Sequence, residues 1–116
     1  MISFVIPAYN AGKTIEKAIN SIIEQEKSSI EYEIVVVDDG SGDDLSEVMK
    51  KYEENEKIKY FYKENTGVSD TRNYGVNQAI GEYIIFVDSD DYINKTLLKD
   101  IEPYIKQEID IIKWNP

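Results

Sequence analysis

The sequence predicts an α/β fold in which helices cover both faces of a mainly parallel sheet. Short apolar runs alternate with helix-periodic segments four times, and this alternation favours crossover connections between parallel strands. The apolar runs also lack the polar face of a strand that is open to water on one side. A length of 116 residues suits one domain, so residues 1–116 are predicted to form a single unit.

The first half of the chain supplies two strands and two helices. Residues 2–6 predict a strand ended by the following proline, and the next helix has an apolar stripe of Ile15, Ala18, Ile19, Ile22 and Ile23. A second strand, buried on both sides, is predicted over 33–37 and is stopped by residues 38–41. Ser41 and Asp44 fit a capping box, and the second helix carries the apolar residues Leu45, Val48, Met49 and Tyr52.

The second half repeats the alternation. A third strand is predicted over 58–62. A third helix is predicted over 68–80 with Gly81 as its stop, on a stripe of Val68, Arg72, Val76, Ala79 and Ile80. The fourth strand, 84–87, has four apolar residues in a row and is predicted to be buried on both faces.

A helix and a strand are predicted to follow. Asn94 caps the helix, whose apolar residues are Leu97, Leu98, Ile101 and Ile105. Pro103 should kink or shorten this helix, because proline removes a backbone donor and clashes with the preceding turn. The last strand is predicted over 108–113.

Composition restricts the classes of function. The excess of 23 acidic over 13 basic residues gives a net charge of −10, which argues against nucleic acid or an anionic membrane as partner. The absence of Cys and His excludes disulfides, Ser-His-Asp chemistry and zinc sites built from nitrogen and sulfur. A bound metal would therefore have oxygen ligands, as Mg²⁺, Mn²⁺ and Ca²⁺ prefer. No basic leader and no long apolar run is present, so we expect a cytoplasmic chain without a membrane span.

Polar residues cluster where the predicted strands end. In open parallel sheets, ligands bind beyond the carboxyl ends of the strands, near the point where strand order reverses. The side chains expected at that edge are Tyr9, Asn10, Asp38, Asp39, Asn65, Asp88 and Asp90. We therefore expect the functional site there.

Each of these side chains has two interpretations. Asp39 could accept the N3–H of uracil or thymine, which cytosine lacks, or it could start a turn and cap the next helix together with Asp38. Tyr9 could stack on a base, or it could be half-buried packing. Arg72 could meet a phosphate or pair with a surface Glu.

Two carboxylates follow the fourth strand at Asp88-Ser89-Asp90. They suit a divalent cation that bridges to the oxygens of a diphosphate, although such a motif can also be a solvated turn. A phosphatase of the haloacid dehalogenase type would place this motif after its first strand and want Thr or Val at position 92. The motif here follows the fourth strand, and the residue is Tyr92. That alternative is disfavoured.

Four segments of the sequence carry a resemblance through their order and spacing. They are Phe4-Val5-Ile6-Pro7-Ala8-Tyr9-Asn10, Val35-Val36-Val37-Asp38-Asp39-Gly40-Ser41, Asn65-Thr66-Gly67-Val68-Ser69-Asp70-Thr71-Arg72-Asn73-Tyr74-Gly75 and Gly81-Glu82-Tyr83-Ile84-Ile85-Phe86-Val87-Asp88-Ser89-Asp90-Asp91. Each is weak alone. Together they resemble the nucleotide-binding half of family-two inverting glycosyltransferases, which have the three-layer, Rossmann-like GT-A fold.

The resemblance implies an activity and a role for each matched residue. Members transfer a sugar from a nucleotide-diphosphate donor, usually a UDP-sugar, with inversion. By position, Pro7 and Tyr9 would line the nucleoside pocket, and Asp39 would bind the uracil. Arg72 would lie near the base or the diphosphate, Asp88 would approach the ribose or metal region, and Asp90 would be a ligand of Mn²⁺ or Mg²⁺.

Members of that family are also about twice this length or more, with a catalytic Asp or Glu well downstream of the metal motif. We therefore expect a fragment that holds the donor site, with the base beyond Pro116 and the acceptor half missing. Such a fragment would bind donor without transferring sugar. The acceptor, a glycan or a lipid-linked sugar, stays open, and the parent could be peripheral to a membrane. A non-catalytic nucleotide- or metal-binding module on the same fold is the other interpretation.

Overall fold

The structure is a computed structural model that describes residues 1–105. Its strands are β1 (Ile2–Ala8), β2 (Tyr32–Asp39), β3 (Ile58–Lys63) and β4 (Tyr83–Phe86). Its helices are α1 (Ile15–Ile23), α2 (Leu45–Met49), α3 (Val68–Gln78) and α4 (Leu97–Ile105), and a 3₁₀ turn over Lys50–Tyr52 extends α2. The strand predicted over 108–113 lies outside the described residues.

The four strands form one parallel sheet in the order β3-β2-β1-β4. The chain builds outward from β1 through β2 to β3 and then returns to the opposite side of β1. Strand order therefore reverses between β1 and β4, which is where such sheets bind ligands. The prediction of a parallel α/β sheet is confirmed.

Alternate residues of β1 and β2 serve two separate cores, because successive side chains of a strand point to opposite faces. The larger core lies on the face covered by α1, α2 and α4 and includes Phe4, Ile6, Ile34, Val36, Ile19, Leu45 and Leu98. The smaller core, on the face covered by α3, consists of Val5, Val35 and Val37 with Phe61, Tyr74, Ala79, Ile84 and Phe86 packed against it. Helices therefore lie on both faces, which confirms the three-layer prediction.

The clearest predicted helix, α1, forms as expected. Four members of its stripe are fully buried: Ile15, Ala18, Ile19 and Ile22. Ile23 is an exception, since it ends the helix and is 39% exposed. A stripe about 100° wide faces the sheet, and Ile23 falls at its margin.

Strand β1 continues through Pro7, where the sequence predicted its end. Val5 C=O accepts the Val87 N–H, so odd-numbered residues of β1 direct their backbone groups toward β4. Pro7 faces the same side, beyond Phe86, the last residue of β4. Its missing N–H therefore removes no ladder hydrogen bond, and proline is tolerated there.

Strand β2 runs two residues further than predicted and includes both aspartates. Asp38 and Asp39 are buried, and hydrogen bonds donated to their carboxylates compensate for the lost contact with water. The capping box is wrong. Asp44 precedes α2 without a side-chain cap, and Asp43 Oδ1 instead accepts the Leu45 N–H at 3.1 Å.

The predicted apolar stripe of α3 is also wrong. Val68 and Ile80 are 53% and 67% exposed, and the buried residues of the helix are Thr71 and Gly75. A Cβ atom built on Gly75 would lie 2.4 Å from Val5 Cγ1, so only a small residue lets α3 lie this close to the sheet. The helix ends at Gln78, before the predicted stop at Gly81.

Strand β4 and helix α4 differ from their predictions in smaller ways. Strand β4 alternates between buried Tyr83 and Ile85 and half-buried Ile84 and Phe86, so it is not buried on both faces as predicted. Asn94 Oδ1 accepts the Thr96 N–H in the turn that leads into α4. Helix α4 continues through Pro103 to Ile105. Pro103 is exposed, so water can satisfy the carbonyl that a proline leaves unpaired.

Candidate functional site

The carboxyl edge of the sheet holds a small pocket next to the reversal of strand order. Its volume is about 60 Å³, and it is lined by Pro7, Ala8, Tyr9, Asp39, Val68 and Thr71. The structure thus brings together three of the predicted site residues, Pro7, Tyr9 and Asp39. A larger cavity of about 390 Å³ between α1 and residues 92–95 contains none of the predicted site residues.

Asp39 is the most constrained side chain at this edge. Its Oδ1 accepts from Lys63 Nζ at 2.7 Å and from the Thr66 N–H at 2.9 Å, and its Oδ2 accepts from the Gly67 N–H at 3.2 Å. Burial alone would raise the pKa of Asp39, but the hydrogen bonds from Lys63 and Thr66 lower it below its ordinary value. The carboxyl group is therefore held as a carboxylate, which can only accept hydrogen bonds.

The loop after β3 is shaped to make these bonds. Gly67 has φ 101°, which a residue with a side chain rarely adopts, and it directs its N–H at Asp39. Asn65 Nδ2 donates to the Asp39 carbonyl at 3.0 Å. Gly40, with φ 71°, lets the two loops approach, since a Cβ there would lie 2.7 Å from the Asn65 nitrogen. Asn65 thus helps to hold the pocket wall.

Asp38 serves the opposite face of the sheet. It accepts from the Ser41 N–H at 2.8 Å and from the Tyr60 hydroxyl. Burial of Tyr60, together with its hydrogen bond to Asp38, raises the pKa of the tyrosine hydroxyl. Since side chains alternate along β2, only Asp39 faces the pocket. Of the two interpretations of this acidic pair, the one in which the carboxylate starts a turn therefore fits Asp38.

A clasp of two hydrogen bonds joins the loops after β1 and β2 beside Tyr9, and no sequence pattern indicated it. The Asn10 N–H donates to Ser41 Oγ at 2.9 Å, and the Gly42 N–H donates back to Asn10 Oδ1 at 2.8 Å. Asn10 has φ 50°, a left-handed conformation that Asn tolerates better than most residues. Tyr9 itself is 55% exposed, so a face of its ring is open to a planar ligand.

Arg72 lies on α3 near the end of β4 and outside the pocket lining. Its Nη2 is 3.7 Å from Asp88 Oδ1, and its guanidinium carbon is 5.7 Å from the centre of the Phe86 ring. Its Nε is buried and has no hydrogen-bond partner among the described residues. The structure thus brings Arg72 and Asp88 together and leaves the guanidinium with unused donors.

The acidic motif after β4 forms an exposed turn in which the Asp91 N–H donates to the Asp88 carbonyl at 3.0 Å. Asp91, the acid that follows Asp90, accepts the Tyr92 N–H with its own carboxylate. Within residues 1–105, no group of three acidic side chains converges on a possible metal position. Two carboxylates nevertheless fit Mg²⁺ or Mn²⁺, since such ions complete their shells with water and ligand phosphates.

Comparison with known proteins adds a family assignment. Residues 3–114 match the family model described as Glycosyl transferase family 2. The poly(ribitol-phosphate) beta-N-acetylglucosaminyltransferase TarS of Staphylococcus aureus is 40% identical over 107 residues, which cover 90% of this chain and 19% of TarS. The chain therefore spans about a fifth of the length of this relative.

Solved structures agree with the sequence comparison. The S. aureus TarS 1–349 structure in complex with UDP-GlcNAc superposes with a TM-score of 0.82 at 40% identity, covering 91% of this chain and 31% of that one. The mannosyltransferase PcManGT from Pyrobaculum calidifontis, in complex with GDP-Man and Mn²⁺, gives a TM-score of 0.79 at 23% identity. It covers 90% of this chain and 32% of that one, and at this identity it supports the fold alone.

Proposed function

This chain belongs to glycosyl transferase family 2 and has the GT-A fold, and from that membership we propose that it forms the donor side of an inverting enzyme that takes its sugar from a UDP-sugar. The S. aureus TarS structures contain UDP and UDP-GlcNAc, which makes UDP-GlcNAc the first donor to test. The acceptor, a glycan or a lipid-linked sugar, stays a prediction.

The pocket shared by Tyr9 and Asp39 carries the proposal. Asp39 Oδ1 already has two donors, whereas Oδ2 accepts from the Gly67 N–H at 3.2 Å. A carboxylate oxygen can take two hydrogen bonds, so Oδ2 can accept an additional N–H. The N3–H of uracil supplies such a donor while the ring stacks on Tyr9, and Pro7 closes the pocket on the β1 side.

The diphosphate is proposed to lie between Arg72 and the acidic motif. The Arg72 side chain is 42% exposed, so its terminal Nη groups can donate to phosphate oxygens. Asp88 and Asp90 are proposed as the protein ligands of Mn²⁺ or Mg²⁺, an ion that neutralises charge on a diphosphate leaving group. These residues bind and orient the donor. None of them is offered as the base for the acceptor, so we propose that this chain alone binds donor without transferring sugar.

The cellular location stays a prediction. No helix among residues 1–105 is long and apolar enough to cross a membrane. We keep the cytoplasm as the proposed location of this domain, with the parent protein peripheral to the membrane.

A thermal melt of the 116-residue chain tests the donor site. The chain is heated with UDP or CDP, with and without Mn²⁺, beside the Asp90→Ala variant. Ligand at 100 times its Kd adds roughly 2.7 kcal/mol to the free energy of unfolding. For a domain of about this size, each 1 kcal/mol raises the Tm by about 4 °C or more. We expect a Mn²⁺-dependent shift with UDP, a smaller one with CDP, and a reduced one in Asp90→Ala.

Three other outcomes would contradict parts of the proposal. No shift with either nucleotide in the presence of Mn²⁺ would mean that this chain does not hold a donor site. Transfer of sugar to an acceptor by the 116-residue chain would contradict the proposed separation of donor binding from transfer. Nucleotide binding by a longer protein that never turns over would favour the alternative, a non-catalytic nucleotide-binding module.

A further inference from the structure

The buried lysine beside the pocket has no role in the function proposed above. Resting on that function, we infer that Lys63 is a positioning residue: it fixes Asp39 as a pure hydrogen-bond acceptor and thereby selects nucleobases that present an N–H, such as uracil, over cytosine. Lys63 does not touch the ligand in this proposal. It acts through the carboxylate that does.

The register of the sheet places the two side chains together. Asp39 is the direct partner of Lys63 across the β2–β3 pair, so both side chains emerge on the face covered by α3. Lys63 Nζ lies 2.7 Å from Asp39 Oδ1, and the two side chains are only 13% and 8% exposed. Water screens such a pair far less than a surface pair.

The ammonium group of Lys63 makes all of its hydrogen bonds within the protein. Besides Asp39, it donates to the Glu64 carbonyl at 2.9 Å and to the Thr66 hydroxyl. Lysine has three donors, and all three are used. Lys63 is therefore not free to bind the phosphates of a donor.

These bonds decide which oxygen of Asp39 is left for a ligand. Lys63 and the Thr66 N–H occupy both acceptor positions of Oδ1. The Thr71 hydroxyl donates to the Gly67 carbonyl at 2.7 Å, so Oδ2 keeps an acceptor position toward the pocket. That oxygen accepts the uracil N3–H. Cytosine presents an unprotonated N3 there, and two acceptors facing each other repel.

Discrimination between uracil and cytosine requires that the Asp39 carboxylate stays charged. A protonated Asp39 would carry an O–H that cytosine N3 could accept, and the preference would weaken. Burial favours protonation, and Lys63 opposes it as the first of the groups that lower the pKa of Asp39. Asp38 points to the opposite face, and the neighbours contributed by β1 and α3, Tyr9 and Thr71, are uncharged. Among the described residues, Lys63 is the charged group that contacts Asp39.

The same sheet offers a matched control. Lys59, also on β3, pairs with the buried Glu33 of β2 at 2.8 Å. This pair likewise joins a lysine of β3 to a buried carboxylate of β2, but it lies toward the amino ends of the strands, away from the pocket. Replacing Lys59 therefore removes an equivalent ion pair without touching the nucleobase site.

The test measures UDP and CDP affinity by calorimetry in the unaltered 116-residue chain, Lys63→Gln and Lys59→Gln, from pH 5 to 8 with Mn²⁺. In Lys63→Gln, we expect the ratio of UDP to CDP affinity to fall about tenfold, the size expected from one charge-assisted hydrogen bond. As the pH is lowered, we also expect the UDP affinity of Lys63→Gln to begin to fall at a higher pH than that of the unaltered chain, because Asp39 is protonated more easily. Lys59→Gln should keep both the ratio and the pH profile.

Each outcome separates this inference from the donor-site proposal. If the unaltered chain binds neither nucleotide, the proposed function fails and the inference fails with it. If it prefers UDP and Lys63→Gln retains that preference, the inference is wrong and the function stands. Should Lys63→Gln not fold, a carbon-13 titration of the Asp39 carboxyl in the unaltered chain replaces it. A pKa of Asp39 at or above its ordinary value would overturn the inference.

Discussion

Arg72 Nη2 lies 3.7 Å from Asp88 Oδ1, an ion pair that links α3 to the residue just after β4. The side chains are 42% and 57% exposed, and exposed ion pairs of this kind contribute little to stability. Either partner can therefore turn toward a ligand at small cost. Without a ligand, the Phe86 ring and the close packing of α3 keep the guanidinium at this position.

Replacing Arg72 should weaken binding of the diphosphate and spare the nucleoside. We expect Arg72→Met to lower UDP affinity about tenfold or more, because it removes charge-assisted hydrogen bonds to phosphate oxygens. Uridine affinity should not change. Calorimetry with both ligands measures the difference, and Lys51→Met, which removes an exposed cation paired with Glu16, serves as control. An equal loss for UDP and uridine would place Arg72 at the base instead.

Neighbouring acids in the motif after β4 should differ in their effect on metal dependence. Asp90 is exposed, whereas the carboxylate of Asp91 accepts the Tyr92 N–H. Asp90→Asn should abolish the gain in UDP affinity that Mn²⁺ produces, and Asp91→Asn should retain it. A Mn²⁺ titration at fixed UDP measures both. Equal loss in the two variants would indicate a general effect of negative charge rather than a ligand position.

Much of the fold could be predicted because apolar periodicity is a local property of the sequence. The stripe of α1 and the apolar runs of β1 and β2 needed no information from distant residues. The α3 prediction failed because its contact face is small rather than apolar. Sequence cannot show that Gly75 lies against Val5 until the helix has been placed on the sheet.

The position of the candidate residues in the sheet could be predicted, but their contacts could not. Tyr9, Asp39 and Asp88 follow or end strands in the sequence, and the structure places them at the carboxyl edge of the sheet. The burial of Asp39 could not be foreseen, because its donors Lys63 and Thr66 come from another strand and its loop. The clasp between Asn10 and Ser41 joins residues 31 positions apart, and no spacing rule identifies such a bond.

Acid should destabilise the fold through Glu33. This buried carboxylate accepts from the Ser3 hydroxyl and from the Ile80 N–H at 2.6 Å and pairs with Lys59. Burial alone would raise the pKa of Glu33, but the bonds from Lys59, Ser3 and Ile80 lower it below its value in the unfolded chain. The stabilisation is therefore complete above the unfolded pKa of about 4.3 and is lost as the pH falls through the folded pKa.

The variant Glu33→Gln should show a smaller fall in Tm below about pH 4.3 than the unaltered chain, together with a lower Tm at pH 7. The exposed Glu47→Gln provides the control, since its partner Lys50 lies on the surface. Melts from pH 3 to 7 test the expectation. An unchanged acid response in Glu33→Gln would show that other carboxylates, Asp39 among them, cause the loss.

Packing of α3 on the sheet should be sensitive to a single methyl group. A Cβ atom on Gly75 would lie 2.4 Å from Val5 Cγ1 and 3.3 Å from Val37 Cγ2, so Gly75→Ala should cost about 1–3 kcal/mol through overpacking. Gly42→Ala is the control, because the nearest atom to its Cβ would be Asn10 Oδ1 at 3.9 Å, an ordinary van der Waals contact. Val5→Ala removes the clashing methyl, so the double variant should lose less than the sum of the two single changes. Urea denaturation measures the four variants and the unaltered chain, and strictly additive losses would mean that α3 moves away from Val5 instead.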